Sequence, residues 1–174
     1  NGFGLGLFAF TIEVDDPSFR EYLEYPENQS LYSVKGRTSL FGATSFIDTM
    51  PSFTVVDFAN FRFDGWNGKG KATSNKTAYQ GEMPSLVFTE QNEGLEVTSL
   101  TFNFDYDTSI SDGMTNMFVD SKGEFNVGSV RYIDSTMDDE SFNLKNFGVS
   151  VLSQVNKNED LIDYAVNYSM DAMS

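Results

Sequence analysis

The chain has 174 residues, of which 40% are apolar, and a formal charge of −15. That charge argues against nucleic acid and against an anionic membrane surface as partners, because both are negatively charged. The sequence contains no His and no Cys, which excludes the common catalytic triads and most zinc sites from this chain. Its 17 Phe and 8 Tyr fit a sheet that needs apolar residues only at alternate positions.

The N-terminal segment predicts a strand followed by a short helix. Phe8, Phe10, Ile12 and Val14 alternate with smaller or polar residues, which is typical of a half-buried strand. Asp16 is a candidate N-cap, and the proline that follows it suits the first helical position. Helical spacing of apolar residues then predicts one short helix over 18–25.

From Leu31 onward the apolar period is two, which predicts strands separated by short turns. The glycine-rich segment 65–70 reads as a turn-rich break. Strict alternation from Ile162 to Met170 favours a final strand over a helix. The predicted strands are 33–40, the apolar segment 53–63, 82–89, 95–106, 124–133, 141–153 and 162–170.

Several predicted strands share one pattern, in which two apolar pairs are separated by two polar residues. Leu95, Val97, Leu100 and Phe102 fit it, as do Phe125, Val127, Val130 and Tyr132, and Phe142, Leu144, Phe147 and Val149. The double spacer would turn the second pair to the opposite face of a flat strand. We therefore expect bulges or bends at 98–99, 128–129 and 145–146, unless the pattern is generic strand patterning with ordinary bulges.

The predicted fold class is mainly β. We expect an elongated, curved, mostly antiparallel sheet with bulged repeated strand units and one short N-terminal helix. Residues 1–174 are taken as a single β-rich domain. Because the sequence starts at Asn1 rather than Met, we expect a fragment of a longer protein whose anchor and C-terminal part lie outside it.

The stretch from Gly36 to Met170 resembles the YdgA-like family of bacterial proteins of unknown function. The resemblance rests on five segments and their order, namely GWNGKG at 65–70, GEMPSL at 81–86, LEVTSLTF at 95–102, GEFNVGSV at 123–130 and FNLKNF at 142–147. It implies an envelope protein anchored in the bacterial inner membrane and facing the periplasm. It implies no activity and no catalytic residues.

Two acidic segments are candidate cation sites. Asp105 and Asp107 precede a loop that resembles a calcium loop, but Ile110 stands where that loop needs glycine. Segments 105–113 and 138–140 are therefore interpreted as solvated acidic turns. Lys69, Lys71 and Lys76 form the only basic cluster along the sequence and are interpreted as part of a solvated hairpin.

The functional prediction is a non-enzymatic envelope protein that binds a lipid or another apolar ligand, or a partner chain, on a Phe-rich sheet face. The alternative is a scaffold module that pairs with other chains through its sheet edges. No catalytic residue, metal ligand or cofactor is predicted. Trp66 is read either as a ligand contact or as a ring folded over the sheet edge. The candidate ligand-binding residues are Phe58, Phe61, Phe63, Trp66, Phe102, Tyr132 and Phe147.

Overall fold

A computed structural model describes residues 6–56, 60–90, 92–107, 120–134, 141–156 and 161–173. In this part of the chain the protein is mainly β, with a single short 3-10 helix at Pro17–Glu21. The strands are β1 (Gly6–Val14), β2 (Leu23–Glu24), β3 (Tyr32–Ser39), β4 (Thr44–Met50), β5 (Phe53–Val55), β6 (Phe61–Phe63), β7 (Trp66–Ala72), β8 (Lys76–Glu90), β9 (Glu93–Asp107), β10 (Asp120–Asp134), β11 (Ser141–Asn156), β12 (Leu161–Ser169) and β13 (Ala172–Met173).

All of these strands belong to one antiparallel sheet, as the short predicted turns require. The main order is β1-β3-β4-β7-β8-β9-β10-β11-β12, and β13 also pairs with β11. Strand β8 is long enough to pair with β7 along its first half and with β6 along its second half. Strands β5 and β2 then extend the sheet beyond β6.

Most of the aromatic side chains between β1 and β12 lie on one face of the sheet, since paired residues point to the same side and successive residues alternate. Three transverse rows define this face. They run Phe8–Thr38–Thr44–Ala72–Thr77–Tyr106–Ser121–Ser153–Tyr164, Phe10–Gly36–Phe46–Gly70–Tyr79–Phe104–Gly123–Val151–Val166, and Ile12–Val34–Asp48–Gly68–Gly81–Phe102–Phe125–Val149–Tyr168. The pairs Val14–Tyr32, Met50–Trp66, Met83–Leu100 and Val127–Phe147 continue it. We call this surface the apolar face and the opposite side the polar face.

The strands bend along a line that crosses the sheet, defined by Pro84, Ser99, Gly128 and Asn146. Ser99 and Asn146 have positive φ values of 53° and 49°, which L-residues rarely adopt. Ladder pairing is interrupted at these four residues, yet the register is the same on both sides of them. The predicted irregularities at 98–99, 128–129 and 145–146 are therefore present, but they are kinks rather than bulges, because no extra residue is inserted.

The three apolar pairs that flank this kink line do not split into a buried and an exposed member. Val127 is buried, whereas Val97, Leu100, Val130, Leu144 and Phe147 are all half-buried. A flat strand would expose one residue of each pair. The pairs therefore do not split across the two faces as in a flat strand, but only Val127 reaches the burial that the repeated pattern predicts for all six residues.

Three predictions about local structure are wrong. The apolar segment 53–63 is not one strand, because Phe53–Val55 and Phe61–Phe63 form two strands that pair with each other. The expected helix over 18–25 is only the five-residue 3-10 helix, although Asp16 does cap it by accepting the Ser18 N–H at 2.9 Å. The segment 65–70 is not a break, because Trp66–Ala72 forms an interior strand between β4 and β8. The strand expected over the C-terminal segment is confirmed as β12. No helix among the described residues is long and apolar enough to cross a membrane.

The described chain buries few side chains. Only Tyr25, Met83 and Val127 form its buried apolar set, and none of the described side chains is completely enclosed. The solvent-accessible area is 12,038 Å², whereas a compact protein of 19.5 kDa exposes about 8,500 Å². The small buried set and the large accessible area are consistent with a described structure that is one sheet layer, in which no second described layer covers the apolar face.

Candidate functional site

Trp66, the only tryptophan, lies on the apolar face in the interior of the sheet. Its ring covers Gly81, so that a Cβ built on that glycine would lie 2.0 Å from the indole Cζ2. The interpretation of Trp66 as a ring folded over the sheet edge is therefore wrong. Gly65 lies in the connection between β6 and β7 and has a positive φ of 93°. Gly70 and Gly81 lie within strands instead, where they leave room for an aromatic ring on the neighbouring strand.

A buried carboxylate lies next to Trp66. Asp48 on β4 is 3% exposed, and its Oδ2 accepts hydrogen bonds from Trp66 Nε1 at 3.0 Å, Tyr79 Oη at 3.0 Å and Tyr32 Oη at 3.2 Å. Across the apolar-face rows and pairs given above, Asp48 is the only residue with a charged side chain. Three donors on one oxygen explain how a carboxylate is held within an aromatic surface.

The second carboxylate oxygen of Asp48 is buried without a hydrogen-bond partner among the described residues. It lies against Gly68, because a Cβ built on that glycine would be 2.1 Å from Asp48 Oδ1 and 2.3 Å from Tyr79 Oη. Gly68 and Gly81 are paired neighbours, so two adjacent positions beside Asp48 lack side chains. Asp48 and its three donors, Trp66, Tyr79 and Tyr32, therefore form a small polar centre within the aromatic surface.

The tyrosines of this centre are held in their neutral form. Burial raises the pKa of Tyr79 to about 12, and the Asp48 carboxylate adds to this effect, while the hydrogen bond from Trp66 opposes it. Burial, followed by the charge of Asp48, also raises the pKa of Tyr32. Both hydroxyls therefore stay protonated and able to donate to Asp48 well above neutral pH.

The structure brings only some of the predicted ligand-binding residues together. Phe102 pairs with Gly81 and lies beside Trp66, and its ring stacks on Phe104 with centroids 6.4 Å apart. Phe147 pairs with Val127 on the same face.

Three other predicted residues lie on the far side of the kink line. Phe61 and Phe63 are on β6, where both rings contact Phe53, and Tyr132 pairs with Leu95. Phe58 is outside the described residues. The predicted set thus falls into two groups, one on the apolar face around Trp66 and one beyond the kink line.

Asp48, Tyr32 and Tyr79 were not predicted. One signal was available for Asp48, since it stands at an apolar position of the alternating segment from Phe46 to Met50. A charged residue in the buried phase of a strand points to a specific partner. The partners themselves come from strands up to 31 residues away in sequence, which no local pattern reveals.

The acidic segments do not form a site in the described structure. Asp105 lies on the polar face opposite Lys122, and Asp107 forms an ion pair with Lys76 at 2.7 Å. Residues 108–113 and 138–140 are outside the description. Within the ranges that the structure describes, no three acidic residues are grouped so as to hold a metal ion.

Comparison with known proteins gives the family and no closer relative. No curated protein matches the chain, and no solved structure does. A family model described as a bacterial protein of unknown function (DUF945) matches residues 2–174. This agrees with the resemblance to a bacterial family of unknown function, whereas the YdgA-like grouping stays a prediction. The chain belongs to the DUF945 family of bacterial proteins.

Proposed function

We propose that this protein is a non-enzymatic binding protein whose apolar face takes up the acyl chain of a lipid. The observation that carries the proposal is the apolar face itself, which no described element of the chain covers. It crosses nine strands, a width of about 38 Å at the usual strand spacing, and carries a single charged side chain. A surface that gathers so many exposed aromatic and aliphatic side chains is typical of a binding surface.

The kink line extends this surface in our proposal. Beyond it the apolar residues again recur every second position, in rows such as Phe63–Leu86–Val97–Val130–Leu144. We infer that the kinks at Ser99 and Asn146 turn these rows to the same side as the apolar face and curve the sheet around the ligand. Phe61, Phe63 and Tyr132 would then line the continuation of the surface that Trp66 and Phe102 begin.

An acyl chain suits this surface better than a second copy of the protein. Two chains of charge −15 repel each other, which works against stacking their faces together. An acyl chain is uncharged and flexible, and it gains free energy in proportion to the apolar area that it covers. The aromatic rings of Tyr79, Phe102, Phe104 and Tyr106 follow one another at 6.2–6.4 Å and offer a continuous contact for it.

The absence of an enzymatic role and the place of action are also proposals. The sequence has neither His nor Cys, and the only carboxylate of the apolar face, Asp48, is already bound by three donors. The YdgA-like resemblance suggests an inner-membrane protein that faces the periplasm. A lipid ligand is consistent with that location, since the membrane supplies it.

Native mass spectrometry of the chain purified from a bacterial membrane extract tests the proposal. We expect mass increments that match acyl lipids. Val151→Asp places a charge on the exposed apolar face, whereas Ser150→Asp places the same charge one residue away on the polar face. Val151→Asp should lose most of the bound lipid and Ser150→Asp should keep it. Recovery of lipid-free wild-type protein, or equal loss in both variants, would contradict acyl binding at this face.

A second candidate function is pairing through sheet edges. In the described structure β1 pairs only with β3, and β12 only with β11, so each has one edge without a partner. Each edge carries few charges, with Glu13 alone on β1 and Asp163 alone on β12. Such edges can add strands from another chain. Light scattering at micromolar protein concentration tests this candidate function. A strictly monomeric chain would contradict pairing through the sheet edges.

A further inference from the structure

Four basic side chains form a square on the polar face. Lys35 and Arg37 lie on β3, and Lys69 and Lys71 lie on β7, on either side of β4. Lys35 and Lys69 both pair with Ile47, while Arg37 and Lys71 both pair with Ser45. The square therefore measures about 10 Å across β4 and about 7 Å along the strands.

The orientation of the square follows from the glycines between its members. The ring of Phe10 covers Gly36 and the ring of Phe46 covers Gly70, which places both glycines on the apolar face. Because successive residues alternate, their neighbours Lys35, Arg37, Lys69 and Lys71 point to the opposite side. All four are exposed.

None of the four cations of this square forms an ion pair among the described residues, although Glu13, Glu82 and Asp105 lie at neighbouring positions of the same face. In the described part of the chain the ion pairs use Arg20, Arg62, Lys76 and Lys122, none of which belongs to the square. From β1 to β8, the two transverse rows that contain the square hold no acidic residue. Lys76, the third member of the basic cluster expected from the sequence, lies outside the square and forms an ion pair with Asp107 at 2.7 Å.

Exposed apolar residues accompany the four cations. Ile47, midway between Lys35 and Lys69, is 53% exposed. The β3–β4 turn beside Arg37 presents Leu40 and Phe41, and Phe41 is 97% exposed. Gly42 closes this turn by donating its N–H to Ser39 O at 3.0 Å. Polar residues, glycine and proline dominate turns, so Leu and Phe at this tip are unusual.

We propose that the β3–β4 hairpin docks on an anionic lipid surface. Phe41 and Leu40 enter the region between headgroups and acyl chains, while the four cations contact lipid phosphates. The overall charge of −15 does not prevent this contact, because the four cations outnumber the three carboxylates beside them and charges more than about 8 Å away are largely screened at physiological salt. The exposed Ile47 and Phe41 favour a membrane over nucleic acid, whose phosphate backbone offers no apolar layer to receive them.

This inference goes beyond the proposed acyl binding and does not depend on it. The square lies on the polar face, so docking there leaves the apolar face free. A protein held in this way would present one surface to the membrane and keep the opposite one available for a ligand. Each surface can be tested with the other intact.

Vesicle flotation of the 174-residue chain tests the docking proposal. We expect the chain to float with vesicles of phosphatidylcholine containing 30% phosphatidylglycerol and not with pure phosphatidylcholine, at about 0.1 M salt. Each basic residue near such a surface strengthens binding about fivefold. Lys69→Gln with Lys71→Gln should therefore weaken binding on the order of 25-fold, and Phe41→Ser about tenfold.

The matched control removes two exposed cations elsewhere, by Arg131→Gln with Lys145→Gln. This variant should bind like the wild type, and circular dichroism should show the same strand content in all variants. Equal flotation with neutral and anionic vesicles, no flotation with either, or equal weakening by the control would each overturn the proposal. None of these results bears on acyl uptake, which is measured with free ligand in the absence of vesicles.

Discussion

Trp66 donates its indole N–H to Asp48 Oδ2 at 3.0 Å across the β4–β7 pair. This bond joins the only tryptophan of the chain to the only charged side chain of the apolar face. Because the indole also covers Gly81, its position reports on both the carboxylate and the surface where we place the ligand. The emission of Trp66 is therefore a direct probe of this region.

The hydrogen bonds to Asp48 predict different costs for two substitutions. Asp48→Ala removes the acceptor of three part-buried donors and should lower the free energy of unfolding by about 2–4 kcal/mol. Asp48→Asn retains an acceptor oxygen of the same size and should cost about half as much. Urea denaturation followed by Trp66 emission measures both. Equal costs for the two substitutions would show that packing, not hydrogen bonding, holds Asp48 in place.

Gly81 should resist replacement because the Trp66 ring occupies the space of a side chain. Gly81→Ala would place Cβ 2.0 Å from Trp66 Cζ2, so the ring must move, at a cost of about 1–3 kcal/mol. Gly123→Ala is the matched control, since Gly123 also lies in a strand and has nothing within 4 Å of its built Cβ. We expect that control to be neutral or slightly stabilising in thermal unfolding. A neutral Gly81→Ala would mean that the ring is free to leave its position.

The sequence predicted the strands better than the interactions between them. Alternation identified β1 and β12, and Asp16 was recognised as a cap because each signal lies within a few neighbouring residues. Gly70 was misread as part of a break because its partner, the ring of Phe46, is 24 positions earlier in the chain. The cation square was missed for the same reason, since the fold brings Lys35 and Lys69 to the two sides of Ile47.

The kink line predicts an unusual preference for glycine at Ser99. Its φ of 53° is unfavourable for any residue that has a Cβ atom, and most of all for a β-branched residue. Ser99→Gly should be neutral or stabilising by up to about 1 kcal/mol, and Ser99→Val should cost about 1–2 kcal/mol. Ser150→Val on β11 provides a control, since Ser150 has no positive φ and strands favour valine. Similar effects of valine at 99 and 150 would contradict a kink at Ser99.

The raised pKa of Tyr79 predicts a loss of stability at high pH. Tyr79 ionises near pH 10 in the unfolded chain and at about 12 in the folded protein, so between these values the unfolded state binds fewer protons. Stability is therefore retained below pH 10 and falls as the pH rises toward 12. Tyr79→Phe should make this fall shallower in denaturant titrations at pH 9, 10 and 11. If the free energy of unfolding falls equally steeply with pH in the wild type and in Tyr79→Phe, the buried position of the Tyr79 hydroxyl is contradicted.

Quenching of Trp66 by a brominated fatty acid tests the central claim most directly, because bromine quenches indole fluorescence only at close range. The chain is titrated with a long-chain fatty acid brominated in mid-chain, below its micelle concentration, and with the unbrominated acid as reference. Acyl binding on the apolar face predicts saturable quenching by the brominated chain alone. Val151→Asp should weaken this quenching, and Ser150→Asp should leave it unchanged. Absence of quenching over the whole titration, or quenching that rises linearly without saturation, would contradict the account.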